Sequence, residues 1–194
     1  MKLGARPLAI PDVLLLEHEA FEDDRGYFME VYRHDQFRAL DLPEIFVQLN
    51  ESRSARNVIR GLHFQWDPPM GKLMRVAEGA AFLVAVDIRP DSPTLGRWVA
   101  ETVRAEDKRQ IWAPAGFARG LCALADNTRV QYLCTATYNG NAESGILWND
   151  PEIGLPWPVE HPLLSTKDRG AQTLREWLSR AESKEFSVKS SRQR

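Results

Sequence analysis

Three residues that can carry chemistry lie close together in the segment 57–76, NVIRGLHFQWDPPMGKLMRV: Arg60, His63 and Lys72. The residues around them are mostly apolar, and the pattern is typical of β-strands. The whole chain has only four histidines. A packed core needs none of these three side chains, whereas a site that binds an anion and moves a proton can use all of them.

The chemistry that suits His63 is general base catalysis, because neutral imidazole titrates near about pH 6.5 and accepts protons at neutral pH. Lys72 suits an oxyanion, since a cation aimed at developing negative charge has a large catalytic effect. In a regular strand, however, His63 shares a face with Gly61 and Gln65, and Arg60 points the other way. A bend at Gly61 would bring Arg60 and His63 together. A packed histidine and an ordinary surface lysine remain the alternatives.

Two tyrosines, Tyr132 and Tyr138, lie six residues apart in VQYLCTATYN, a run typical of a strand. Even spacing predicts that both side chains point to the same face if the strand continues regularly. One hydroxyl can then donate a proton, and the other ring can stack on a flat ligand. Two ordinary core aromatic residues are the alternative.

The spacing of possible ligands in the sequence predicts no metal site. Zinc or iron in a β-barrel needs three or four ligands, but the residue two after His63 is Gln65. The later turn PAGFARG carries Arg119, and a guanidinium cannot be a ligand. The other histidines are scattered without partner spacing: His18, His34 and His161.

Composition narrows the class of protein. The 194 residues carry a formal net charge of −2, so no overall basic field predicts nucleic acid binding. No apolar run approaches the roughly 20 residues that span a membrane. The apolar patch near the N-terminus is interrupted by prolines and acidic residues, which argues against a signal peptide. The two cysteines, Cys122 and Cys134, lie in strand-like runs and are expected to be reduced, which favours a cytoplasmic protein.

Short strand patterns separated by turns dominate the chain, at intervals of roughly ten residues, as in antiparallel sandwiches and barrels. The clearest of these patterns cover 73–89, 97–104 and 129–138. Helix is expected only at 34–40 and at 171–182. The chain therefore predicts a single all-β domain over 1–182 with a short helical C-terminus, followed by a polar, flexible tail over 183–194.

Eight blocks in order resemble the dTDP-4-dehydrorhamnose 3,5-epimerases, a metal-free branch of the cupins. These are FEDDRGYFMEVYR, FVQLNESRSARNVIRGLHFQ, GKLMRV, VAVDIRPDSPTLGRW, PAGFARG, YLCTATYN, GILWNDPEIGLPWP and LLSTKDR. The resemblance runs from about residue 8 to about residue 180. It implies a double-stranded β-helix, or jelly roll, and a homodimer in which N-terminal strands join the partner's sheet.

The same resemblance implies a role for each site residue. His63 is the base, held by Asp168; Lys72 stabilises the enolate oxygen; Tyr132 donates a proton on the opposite sugar face; and Tyr138 stacks on the nucleotide base. Further residues bind the nucleotide diphosphate and the sugar: Arg25, Glu30, Gln48, Asn50, Arg60, Glu143 and Lys167. The implied reaction removes and returns protons at C3 and C5 of a dTDP-linked 4-keto-6-deoxyhexose without a cofactor.

One position departs from the family pattern, because Arg119 stands where PAGFARG usually carries histidine. The resemblance places this residue beside the C4 oxygen with Lys72, and arginine keeps the positive charge there. Its longer planar head changes the space around the sugar. An epimerase of one centre only, or of a CDP- or GDP-linked 4-keto sugar, is therefore the alternative activity.

Overall fold

Residues 1–186 are described in a computed structural model of the chain. The strands within this range, in chain order, are β1 (Leu3–Pro7), β2 (Leu14–His18), β3 (Phe21–Asp23), β4 (Gly26–Phe28), β5 (Gln48–Ser54), β6 (Ile59–Gln65), β7 (Lys72–Glu78), β8 (Ala80–Asp87), β9 (Trp98–Arg104), β10 (Arg109–Ala113), β11 (Phe117–Ala123), β12 (Thr128–Cys134) and β13 (Glu143–Gly145). The α-helices are short: α1 (His34–Ala39), α2 (Thr166–Arg169) and α3 (Leu174–Ser179).

Two antiparallel sheets form the body of the protein. One has six strands in the order β1-β2-β10-β7-β12-β5, and the other has five in the order β13-β6-β11-β8-β9. From β6 to β12 the chain passes repeatedly from one sheet to the other. This winding is that of a double-stranded β-helix, so the predicted all-β jelly roll is confirmed. A separate hairpin, β3–β4, stands apart from both sheets.

The alternation of side chains along each strand divides the interior into a core and a cavity. On β7, the inward positions are Lys72, Met74 and Val76, two residues apart. Val76 and Met74 belong to the apolar core between the sheets, with Leu83 of β8 and Val130 of β12. Met74 and Lys72 line a cavity beyond this core. One strand therefore supplies both packing and a polar site.

Strand β6 bends at Gly61, which answers the question of how Arg60 and His63 meet. The pairing with β11 sets His63 opposite Arg119 and Arg60 opposite Leu121, so the register shifts by a bulge. Gly61 has a φ of +122°, and a Cβ there would lie 2.7 Å from the Arg119 carbonyl oxygen. Only glycine suits that position. The bend that Gly61 could allow is present, and Arg60 and His63 line the same cavity.

The helical C-terminus covers the outer face of the five-stranded sheet. Trp177 of α3 is fully buried and packs against Phe64, with ring centroids 4.5 Å apart. The predicted tail begins too early, because a 3₁₀ helix continues over Ala181–Phe186 and Phe186 packs against the same two rings. Burial of that ring extends the domain to Phe186. The rest of the predicted flexible tail, 187–194, lies outside the described residues.

Both cysteines are buried and free. Burial raises the pKa of the Cys122 thiol to about 11, so this thiol is neutral and unreactive. Burial also raises the pKa of Cys134, although the nearby charges of Lys72 and Arg119 oppose that rise. Within residues 1–186, no helix has the length and apolar character needed to cross a membrane.

Candidate active site

A cavity of about 320 Å³ opens between the two sheets. Eight of the residues predicted from the sequence line it: Asn50, Arg60, His63, Lys72, Arg119, Tyr132, Lys167 and Asp168. They come from both sheets and from α2, over more than a hundred positions of sequence. The fold therefore gathers most of the predicted site around one space.

A histidine–carboxylate pair stands in this cavity. His63 Nε2 lies 2.6 Å from Asp168 Oδ1, although the two residues are 105 positions apart in the chain. The His63 side chain is 29% exposed, whereas that of Asp168 is 6% exposed. The imidazole therefore faces the cavity, and the carboxylate supports it from behind.

Asp168 is held by the start of helix α2. Ser165 is the N-cap of this helix; its Oγ accepts from the Asp168 amide at 3.0 Å and donates to Asp168 Oδ2 at 2.8 Å. Burial alone would raise the pKa of Asp168, but the hydrogen bonds from His63 and Ser165 outweigh it and hold the pKa below the ordinary value. Asp168 is therefore a carboxylate at neutral pH.

The charge of Asp168 decides the tautomer of His63. A carboxylate only accepts hydrogen bonds, so His63 Nε2 must carry the proton that it donates. In neutral imidazole, the other ring nitrogen, Nδ1, then holds the free lone pair. The pair is thus arranged so that His63 Nδ1 can take a proton and Asp168 can stabilise the resulting imidazolium.

Two cations, the partly buried Lys72 and the buried Arg119, share the cavity. Arg119 is 4% exposed; one Nη1–H donates to the Pro114 carbonyl oxygen at 3.1 Å, and its Nε has no partner in residues 1–186. Burial and then the charge of Arg119 lower the pKa of Lys72 to about 8. Neither cation forms an ion pair with a carboxylate of the described chain. Two uncompensated positive charges in a buried space favour an anionic ligand or developing negative charge.

Tyr132 lies on the six-stranded sheet, across the cavity from His63 on the five-stranded sheet. Its hydroxyl forms a 2.8 Å hydrogen bond with Ser52 Oγ of β5. Burial raises the pKa of Tyr132, and the hydrogen bond with Ser52 opposes that rise. The phenol therefore keeps its proton at neutral pH and can act as an acid.

The rim of the cavity holds more of the predicted residues. Lys167 pairs with Glu143. On β5, Gln48 Nε2 donates to Asn50 Oδ1 at 3.0 Å. Arg60 Nε donates to Ser54 Oγ at 3.0 Å. These groups give the entrance a polar, partly cationic lining that suits a phosphorylated ligand.

Tyr138 does not share a strand with Tyr132, so the expectation of one regular strand is wrong. Strand β12 ends at Cys134. Beyond it, the Tyr138 amide donates to Gln48 Oε1 and the Asn139 amide donates to Gln65 Oε1, both at 2.8 Å. Side-chain amides thus replace the strand ladder. The Tyr138 side chain is left 62% exposed near the rim.

Arg25 and Glu30 do not line the cavity of their own chain. Arg25 lies in the β3–β4 turn, with its side chain 90% exposed and paired with Asp23. Glu30 follows the hairpin and pairs with Arg33 at 3.3 Å. The aromatic residues of the hairpin, Phe21 and Phe28, are 63% and 67% exposed. Within one chain, this hairpin has no part in the site.

Two serines of the site, Ser165 and Ser52, were not among the residues predicted from the sequence. Ser165 stands three residues before Asp168, which is the spacing of an N-cap hydrogen bond. Ser52 follows Gln48 and Asn50 at a period of two along β5, so the three share a face. Both patterns are readable in the sequence. No group of three or more possible metal ligands occurs among residues 1–186.

Residues 7–176 match the family model described as dTDP-4-dehydrorhamnose 3,5-epimerase. The chain belongs to this family. A dTDP-4-dehydrorhamnose 3,5-epimerase from Pseudomonas aeruginosa is 50% identical over 169 residues, 86% of this chain and 93% of that protein. A dTDP-6-deoxy-D-glucose-3,5-epimerase from Legionella pneumophila, solved in complex with dTDP-4-keto-L-rhamnose, superimposes with a TM-score of 0.89 at 38% identity, covering 94% of this chain and 97% of that one. The predicted family and the predicted isomerase class are confirmed.

The dTDP-4-dehydrorhamnose 3,5-epimerase family also has a relative named for a single centre. A dTDP-4-dehydrorhamnose 3-epimerase from Streptomyces niveus is 38% identical over 173 residues, 88% of this chain and 84% of that protein. Family membership therefore gives the reaction type, and the residues of the cavity must give the number of centres.

Proposed function

We propose that this epimerase converts dTDP-4-dehydro-6-deoxy-D-glucose to dTDP-4-dehydro-L-rhamnose by inverting C3 and C5. The observation that carries the proposal is the placement of His63 and Tyr132 on opposite sheets around one cavity. Inversion requires a base on one face of the sugar ring and an acid on the other. The names of the 3,5-epimerase relatives support the substrate.

Each inversion proceeds by removal and return of one proton. The C4 ketone acidifies the neighbouring C–H bonds, and His63 Nδ1 takes the proton from one face. The electron pair of that bond forms the C=C of an enolate, and its negative charge rests on the C4 oxygen beside Lys72 and Arg119. The Tyr132 hydroxyl then gives its proton to the carbon from the other face. Solvent reprotonates the phenolate and removes the proton from the imidazolium, and the second carbon follows.

The rim residues are proposed to bind the rest of the substrate. Arg60 offers a fork of donors to the diphosphate, which suits a planar guanidinium. Lys167, with Glu143, and the amides of Gln48 and Asn50 contact the sugar and the nucleotide. The exposed ring of Tyr138 stacks on the base.

Arg25 and Glu30 are proposed to serve the site of a second copy of the chain. The exposed aromatic hairpin that carries Arg25 has no contact with its own cavity, and an exposed apolar surface of this kind favours association. The expected homodimer would place these residues at the partner's cavity. Mixing Arg25→Ala and His63→Ala chains should restore part of the activity, because each mixed dimer then contains one complete site. No recovery in confirmed mixed dimers would contradict this arrangement.

A cytoplasmic location is also proposed. The two buried thiols, Cys122 and Cys134, are unpaired, and free thiols persist in a reducing compartment. A nucleotide-sugar substrate is consistent with that location.

The product of the reaction tests the proposed function directly. Incubation of the purified protein with dTDP-4-dehydro-6-deoxy-D-glucose is expected to give the L-lyxo product, identified by NMR coupling constants at C3 and C5. CDP- and GDP-linked 4-keto sugars serve as the comparison panel. Faster turnover of either of them would overturn the choice of dTDP, because stacking on Tyr138 alone does not distinguish the bases.

The charge of Lys72 predicts a basic limit to activity. We expect kcat/KM to fall as the pH rises through about 8, because burial and then Arg119 lower the pKa of Lys72 to about 8. Deprotonation above that pH removes the ammonium that faces the enolate. In Arg119→Gln the repulsion is absent, so the pKa of Lys72 rises and the fall in kcat/KM moves to higher pH. A basic limit that stays in place in Arg119→Gln would contradict this assignment.

Arg119 supports a second candidate function, an epimerase of one centre only. Its buried guanidinium stands opposite His63 in the β6–β11 pairing and narrows the space for the sugar. If the ring cannot turn in this space, only one carbon reaches His63. The single-centre relative named above is consistent with this possibility.

Substitution of Arg119 by histidine separates the two candidate functions. We expect Arg119→His to keep inversion at both carbons and to change kcat/KM by no more than about tenfold, because an imidazole can still donate a hydrogen bond to the C4 oxygen and Lys72 still supplies a cation. The measurement is the ratio of inversion at C3 and C5 by NMR, in the variant and in the wild type. A gain of the second centre only in Arg119→His would show that Arg119 limits the wild type to one.

A further inference from the structure

Asp150 is a buried carboxylate behind the active site, in the segment GILWNDPEIG. It is 2% exposed, and no cation of residues 1–186 forms an ion pair with it. Its Oδ1 accepts from the backbone amides of Glu152 at 2.8 Å and Ile153 at 3.3 Å. Its Oδ2 accepts from the Leu174 amide at 2.7 Å. Both oxygens are thus used, one within its own turn and one at a distant segment.

The bond to Leu174 fixes the chain that follows the catalytic carboxylate. Leu174 is the first residue of α3, so its amide has no acceptor within the helix. Two residues earlier, the Gln172 carbonyl oxygen accepts from the Leu147 amide at 2.7 Å, and Gln172 Nε2 donates to Ser144 Oγ at 2.8 Å. The segment after Asp168 is therefore tied to 144–150 at three points.

The segment 144–150 also contacts the strand that carries the base. Gly145 lies opposite His63 in the β13–β6 pairing. The Ile146 amide donates to the Leu62 carbonyl oxygen at 2.8 Å, next to His63. One segment thus holds β6 on one side and the chain beyond α2 on the other. It therefore connects the strand that carries His63 to the segment that follows Asp168.

We propose that Asp150 is a positioning residue that holds Asp168 in hydrogen-bonding register with His63. The effect on turnover rests on the proposed function, because it assumes that His63 removes the proton. The effect on the His63–Asp168 hydrogen bond does not depend on that function. The carboxylate is required because only it offers two acceptor oxygens to three backbone amides.

The test is Asp150→Asn, which keeps the shape of the side chain but replaces one acceptor by a donor. The amide cannot accept both at its own turn and at Leu174, so one attachment is lost. We expect the kcat of epimerisation to fall roughly 100-fold, since a displacement of about 1 Å at a reacting group has effects of this size. KM should stay unchanged, because no residue lining the cavity is altered.

Proton NMR of the imidazole gives a readout that a purely structural role would not move. A hydrogen bond of 2.6 Å to a carboxylate deshields its proton, so wild type should show a low-field His63 N–H signal, absent in His63→Asn. In Asp150→Asn this signal should shift upfield or disappear. If the signal and the kcat of folded Asp150→Asn both match wild type, the proposal is overturned.

Asp87→Asn is the matched control. Asp87 is also fully buried, but it accepts from Arg89, Ser92 and Thr94, away from the cavity. Loss of the Asp87 carboxylate should lower the melting temperature and leave the low-field signal and kcat unchanged. If Asp87→Asn lost the signal and kcat to the same extent as Asp150→Asn, the specific role of Asp150 would be overturned. Gln172→Leu removes the neighbouring attachment and should show a weaker form of the same signature if Asp150→Asn does not fold. A wild-type protein that shows the low-field signal but has no turnover would refute the proposed function. The positioning role of Asp150 would then be tested by comparing the low-field signal of wild type with that of Asp150→Asn.

Discussion

Replacing His63 by asparagine is expected to reduce proton removal from the 4-keto sugar by about a thousandfold or more. The expected size follows from the contribution of a positioned base, roughly 10²- to 10⁴-fold, together with the loss of the Asp168 interaction. Asparagine keeps a hydrogen-bonding side chain near Asp168 but has no basic nitrogen. Both exchange with solvent and inversion should fall together, because each begins with the same proton transfer.

The matched control for this loss is His161→Asn, which changes an exposed histidine outside the cavity. It should retain the exchange rate of the wild type. The measurement is the rate of deuterium entry from D₂O, read by NMR with each variant at the same concentration of folded protein. Retained exchange in His63→Asn would eliminate His63 as the base.

Tyr132→Phe should separate proton removal from inversion. The phenylalanine ring keeps the packing of the cavity wall, but it has no proton to return on the second face of the sugar. We expect the rate of formation of inverted product to fall by about 100-fold or more. His63 can still remove a proton and return a deuteron to the same face, so exchange with retention should persist.

Ser52→Ala is a milder variant that tests the same hydroxyl. It leaves the phenol in place and removes the 2.8 Å hydrogen bond at the Tyr132 hydroxyl. Without that bond the pKa of Tyr132 rises further, because burial is then opposed only by the charge of Arg60. Inversion should slow less than in Tyr132→Phe. Equal loss of exchange and inversion in Tyr132→Phe would argue that the hydroxyl is not the proton donor.

The strands and the all-β class could be predicted because their signals are local, whereas the jelly roll followed from the family resemblance. The alternation of inward and outward side chains on β7 and the turn at Gly79 can both be recognised from consecutive residues. The convergence of Arg60 with His63 was different. It depends on a bulge at Gly61 that fits only because the β11 backbone passes within 2.7 Å of where a Cβ would be. Spacing allowed that bend but could not require it.

The partners of the base illustrate the limit of sequence patterns. Asp168 meets His63 across 105 positions, and only the family resemblance connected them beforehand. Tyr138 leaves the strand because side-chain amides of Gln48 and Gln65 bind the backbone after Cys134. Those bonds exist only once three strands are assembled, so no local pattern reports them.

The role of the N-terminal residues of the predicted site depends on how two copies of the chain associate. The family resemblance assigns Arg25 and Glu30 to substrate binding, yet both lie outside the cavity of their own chain. A single sequence describes one copy of the protein, and a site shared between two copies has no signature in residue spacing. Their proposed role therefore rests on the expected dimer.

The most direct test of the central claim is deuterium incorporation from D₂O into dTDP-4-dehydro-6-deoxy-D-glucose, read at C3 and C5 by NMR. The account predicts deuterium at both carbons together with the L-lyxo product. Deuterium at one carbon would assign the single-centre function. No deuterium at either carbon, with folded wild-type protein, would contradict epimerisation of this substrate by His63 and Tyr132.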